Sequence, residues 1–167
     1  MIYKKSWKYI LKHRYTYGLY KIKAVKDFSD VKKKDLGGFV DGFKNLSQFG
    51  NCWIYNFAVV KDDANVSGNA KVKNDAYICD NAVISGNACV YETAKVYENA
   101  CIFGNAQIFG NAQVYGLAKV YEKAQVYGNA KIQGNAQVLG NAIISGYSRV
   151  SGDMKVNYRV TGYEDIQ

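Results

Sequence analysis

The sequence predicts an all-β chain wound as a parallel solenoid, and three observations predict it. Every sixth residue from Ile54 to Val156 is a β-branched aliphatic, eighteen in succession. Ala stands two places before them fifteen times running, from Ala58 to Ala142. No residue is inserted or lost across that stretch, and a short fixed period is the signature of a stacked repeat. A helix is excluded, because six is not a multiple of about 3.6 and recurrent Gly and Asn break helices.

Residues 1–36 lack the period. They hold eleven basic groups against three acids, which leaves eleven of each sign in 37–167; the whole net charge of +8 therefore sits in this leader. Such asymmetry bears on partners rather than on fold. Tyr20, Ile22 and Ala24 alternate with Lys21 and Lys23, so one face of a strand is apolar and the other cationic. Gly18 closes a hairpin between this strand and Trp7, Tyr9 and Leu11. The predicted role is to cap the first coil, since an open solenoid end invites edge pairing.

In the repeat, Ala and Val or Ile two apart point to the same side of a very short strand. The Gly-Asn pairs between them, as at Gly104-Asn105 and Gly128-Asn129, suit a sharp left-handed corner. Six residues then make one side, three sides close a coil of eighteen, and residue i stacks on i+18 at about 4.8 Å. Eighteen hexads give six coils, or roughly 29 Å of prism. Each buried Val or Ile contributes about 1.5–3 kcal/mol, and Ala fits where three sides converge. Met154 breaks the Ala column and is expected to plug the far end. The chain thus divides into a basic hairpin or cap (1–36), the repeat (37–157), and a tail or cap (158–167).

Sorting the outward positions by side exposes stacks. The first side carries Trp53 and Tyr55, Lys71 and Lys73, then the ladder Tyr91–Phe109–Tyr127. The second carries Tyr97–Tyr115 and the third Phe103–Tyr121. Stacked rings stabilise neighbouring strands, and Tyr rows on a flat face also suit a subunit interface. The first side is the most apolar, so association is expected there, through Tyr91, Phe109 and Tyr127, with Tyr97 and Tyr115 as a second row.

The pattern [Ile/Val]-x-Gly-Asn-Ala-x resembles the hexapeptide repeat of left-handed parallel β-helix proteins, and most resembles the "GNA"-repeat proteins of bacteria and prophages. Residues 19–58 are similar to a segment of prophage-encoded members, with their Gly37-Gly38-Phe39, Asn45-Leu46-Ser47 and Gly50-Asn51-Cys52-Trp53 steps. The resemblance implies left-handed coils of three hexads, six to seven in number, and a homotrimer. Spacing alone does not set handedness; the crossover rule for parallel strands favours the right hand.

Chemistry is sparse. Acyltransferases of the resembled fold use a His base and protruding loops, and acyl transfer needs a base to take a proton. This chain has His13 alone, between Lys12 and Arg14, and uninterrupted coils. The acids Asp62, Asp63, Glu92, Glu98 and Glu122 sit at corners, where turn chemistry favours them. Cys52, Cys79, Cys89 and Cys101 show no metal spacing, so neither a metal nor a cofactor is expected. No signal peptide or apolar membrane span is read, and a cytoplasmic setting is expected, the host's if the chain is phage-encoded.

The reading is therefore a non-catalytic β-solenoid that binds or assembles, of phage or prophage type, with a host or phage protein as partner. One alternative is a protein that sequesters a small anionic ligand such as a cyclic nucleotide, through Lys21, Lys23, Lys32, Lys33 and Lys34 with Tyr17 and Tyr20 nearby, because cations beside rings suit phosphate and base. The other is a divergent acyltransferase.

Overall fold

A computed structural model describes residues 7–167; Lys4 and Lys5 of the basic leader lie outside the described residues. The chain is an all-β parallel solenoid of about seven coils, with no α-helix among the described residues. Its three sides are sheets of ten, seven and six strands. The register is the one the period predicts: Cys89 pairs with Lys71 below and Gln107 above, eighteen residues away in each direction. Each rung is only two residues long, for example Gln107–Ile108. Its hydrogen bonds run to the next coil, as when Lys71 N donates to Ala88 O at 2.9 Å and Lys73 N to Val90 O at 2.9 Å.

The core is the predicted column: every Ala from Ala58 to Ala142, and every Val or Ile paired with it, is fully buried. Corners put one residue in the left-handed region throughout. Gly occupies it at Gly110 (φ 68°), but Asn74, Asp80, Glu92, Glu98 and Glu122 adopt it too. The acids offset the strain by bonding upward. Glu92 Oε2 accepts from Gly110 N at 2.8 Å, Glu98 Oε2 from Gly116 N at 2.8 Å, and Glu122 Oε2 from Gly140 N at 2.7 Å. Each carboxylate satisfies a corner N–H one coil on. The Asn of Gly-Asn builds a second ladder: Asn69 Nδ2 donates to Asn87 Oδ1, and Asn87 Nδ2 to Asn105 Oδ1, at 3.0 and 3.1 Å.

The leader forms strands β1 (Tyr9–Arg14), β2 (Tyr20–Ala24) and β3 (Leu36–Val40). β1 and β2 are the hairpin the sequence predicts, turning through Thr16–Gly18. β3 runs antiparallel to β2 and parallel to the rung Val59–Val60. The hairpin therefore lengthens the second side into the ten-stranded sheet. β1 ends that sheet with a bulge at His13 and the cations Lys12 and Arg14, features that discourage further strand pairing.

One sequence reading needs correction, and one basic group has an unforeseen place. Trp53, placed outward on the first side, is 1% exposed, because Phe28 and Tyr9 of the leader meet its ring edge-on at 5.4 and 6.2 Å. Lys8, one of the leader's eleven basic groups, is buried at 1% exposure. Its ammonium donates to Gly50 O, Cys52 O and Cys52 Sγ at 3.3, 2.9 and 3.3 Å. Burial pushes its pKa down. A buried cation is tolerated because all three donors find acceptors. Asn45, also buried, ties the first corner by donating to Asp62 O and Ala64 O.

Beyond residue 157 two more rungs, Arg159–Val160 and Asp165–Ile166, stack on Ile143–Ile144 and Arg149–Val150. These pairs lie sixteen residues apart, so the last coil has one corner shortened by two residues. Met154 packs half-buried against the core, beside the last rung of the third side.

Candidate functional site

The aromatic ladders form as the sorting predicts. Tyr91, Phe109 and Tyr127 stack at 4.8 and 4.7 Å, Tyr97 on Tyr115 at 4.8 Å, and Phe103 on Tyr121 at 4.9 Å. The 18-residue register sets this spacing, because identical positions in successive coils superpose. On the second side Tyr97 OH donates to Gln113 Oε1 and Tyr115 OH to Gln133 Oε1, so that ladder carries a polar fringe. The first-side ladder is different in charge. From Cys89 to Ser145 its outward strand positions are Cys, Tyr, Gln, Phe, Gln, Tyr, Ile and Ser, with no charged group.

The cation and ring set predicted in the leader does not gather in one place. Lys21 and Lys23 share the outward face of β2, but Lys21 is engaged: its ammonium lies 4.1 Å from the Phe39 ring centroid and donates to Asn56 O at 3.3 Å. Tyr20 packs against the core, on the opposite face. Tyr17 stands on the hairpin turn, 95% exposed, with φ 67°. Lys32, Lys33 and Lys34 lie in a separate loop whose own acids cap it. Lys32 N donates to Asp35 and Lys33 N to Asp27, each at 2.8 Å, and Lys32 Nζ is 3.7 Å from Asp27.

That loop crosses the base of the first side. Asp30 accepts from Lys71 Nζ at 2.8 Å and from Tyr55 OH at 2.9 Å. The Lys71 hydrogen bond holds the Asp30 carboxyl well below the usual carboxylate range. Tyr55 is pushed up by burial and by Asp30. With the folded pKa depressed, the pair stabilises above about pH 4 and loses that contribution as pH falls toward the folded value. Asp30 is about half exposed, so the effect is at most about 1 kcal/mol. We expect Asp30→Asn to lower the urea midpoint near neutral pH, with the gap to the parent narrowing below about pH 4. A gap that persists undiminished in acid would assign the loss to packing instead.

Sequence reasoning missed a hollow of about 360 Å³ lined by Tyr17, Leu19, Val59, Lys61 and Tyr77. A second, of about 540 Å³, is lined by Asp75, Tyr77, Thr93, Lys95, Asn111 and Gln113. The 18-residue sorting places Lys61 below Cys79 and Val59 below Tyr77. It carries no sign that the hairpin turn comes to rest over them. At an adjoining corner Asp62, Cys79 and Asp80 bring their donor atoms within 4.8 Å of one another. Their oxygens are engaged: Asp62 pairs with Lys61 at 2.9 Å and Asp80 Oδ2 accepts from Glu98 N at 2.9 Å. Burial and Asp80 raise the Cys79 thiol to about 11. The group is a stack of corner caps. His13 sits exposed on the bulge of the edge strand β1.

Residues 124–140, about one coil, are similar to the family model described as YdcK Beta solenoid repeat. No curated protein matches the chain.

Proposed function

We propose that this β-solenoid is a non-catalytic assembly module that forms a homotrimer through its first side. The observation that carries the reading is the charge-free strip from Cys89 to Ser145, crossed by the Tyr91–Phe109–Tyr127 ladder. Copies of a chain with net charge +8 repel one another, and contact through a neutral strip keeps like charges out of the interface. The loop holding Asp30 marks its lower limit and Arg159 its upper one. Aromatic rings there offer apolar contact with little side-chain entropy to lose. The Gly-Asn-Ala corners favour placing the chain with the left-handed hexapeptide-repeat proteins of prophage type, in a cytoplasmic setting.

Light scattering on the purified chain tests the assembly. A trimeric mass is expected, falling to a monomer in Phe109→Lys with the circular dichroism spectrum unchanged. A parent chain that runs as a monomer at all concentrations overturns the reading.

A second reading, capture of an anionic ligand, is favoured by the hollow between Tyr17 and Tyr77, where Lys61 lies 5.8 Å from the Tyr77 ring centroid. Cations beside open rings suit phosphate and base together.

A further inference from the structure

We infer that the outward surface of the ten-stranded side binds single-stranded nucleic acid, with Tyr17 as a stacking ring and Lys95, Lys131 and Arg149 as phosphate contacts. The inference rests on the anion-binding reading and narrows it to a polymer.

Charge distribution supports it first. One unbroken register line runs from Val59 through Tyr77, Lys95, Gln113 and Lys131 to Arg149. The hairpin extends the same surface with Lys12 opposite Lys21. Acids at outward strand positions are Asp165, in the last rung, and Asp41, whose carboxylate accepts from Asp62 N at 2.6 Å. Of the acids in the corners that flank this side, Asp62, Asp80, Glu92 and Glu98 are turned to N–H groups of the next coil and Asp63 pairs with Lys44, while Asp75 stands in the wall of the larger hollow. A cationic row on a flat sheet tracks a phosphate backbone.

The rings supply the second support. Ladder rings cover one another's facing sides. No ring stacks on Tyr17 among the described residues, whereas Tyr77 stands between Val59 and Lys95 in its column with the Lys61 ammonium 5.8 Å from its ring centroid. Tyr17 is held out at 95% exposure on a left-handed backbone, a conformation costly for a bulky residue. An exposed ring beside cations accepts an unpaired base. Reach decides for a polymer: Arg149 lies four rungs from Tyr77, roughly 19 Å at the strand spacing, farther than one nucleotide extends. A single strand is favoured over a duplex because the flat sheet has no element to enter a groove.

Fluorescence anisotropy of the full chain with a labelled oligothymidylate tests this. Binding is expected at low salt, weakening steeply as salt rises. Tyr17→Ala is expected to weaken it about tenfold while Tyr17→Phe retains it. Lys131→Glu with Arg149→Glu should weaken binding and lower the salt slope by about 1.4. Lys155→Glu, on the third side, should change it less. Thymidine monophosphate that competes as tightly as the oligomer would overturn the polymer and leave the anion reading standing. Preference for duplex DNA would overturn the stacking role. Absence of binding by oligomer and mononucleotide alike at low salt would remove both readings.

Discussion

Gly38→Ala is expected to destabilise the protein by about 3 kcal/mol, near the top of the range for overpacking. A Cβ there would press on Ala58 O and lie 2.5 Å from Ile54 Cγ2. Neither can retreat. Ala58 O accepts from Phe39 N at 2.9 Å, the bond that docks β3 onto the first coil, and Ile54 is fully buried. Gly37 is equally tight, with a Cβ 2.5 Å from Ile54 O and 2.6 Å from Ile22 Cγ1. Close approach, not unusual dihedrals, explains the Gly37-Gly38 pair. Urea denaturation reads the loss, and limited proteolysis should show the hairpin released before the coils. An unchanged midpoint with the hairpin still protected would show that the first coil can yield, and would end the docking argument.

Ile108→Ala is expected to cost about 2–5 kcal/mol. Ile108 is fully buried in a middle coil, between Val90 below and Val126 above. Every neighbour in that column is Ala, Val or Ile, so no long side chain can swing in to fill the hole. In a solenoid each coil holds only its neighbours, and the damage should be local: exchange protection falls first in the coils around residue 108. Val156→Ala, in the last rung of the third sheet, should cost less than half as much, because it has a coil on one side only. Equal costs at the two positions would contradict a column built from nearest-neighbour contacts.

The repeat's consequences were legible in particular residues. Tyr91, Phe109 and Tyr127 could be paired on paper because a fixed eighteen-residue coil makes position arithmetic into geometry. The corner acids were legible in place but not in action. That Glu92 serves the N–H of Gly110 needs the left-handed φ of its own backbone, which a residue name does not disclose. The candidate sites were less legible. Lys21, Lys23 and Lys32–34 are near in sequence, yet the two strand lysines face outward on the second side while the other three lie in a loop by the first. Lys8 counted only as one of the leader's basic groups, and Tyr17 was read as a ligand ring beside Tyr20, from which the fold parts it.

By itself the sequence determined the winding: six-residue sides, an Ala and Val/Ile core, corners, and which residues stand above which. It could do so because every contact in the repeat is between positions a constant distance apart, so local period and long-range pairing are the same information. Only the tertiary structure decided where the aperiodic leader lies, and with it the burial of Trp53 and Lys8, the loop across Tyr55, and the hollow beside Tyr77. Those placements depend on side chains meeting at no fixed separation, through shape and hydrogen bonds that exist only once the first coil is there to receive them.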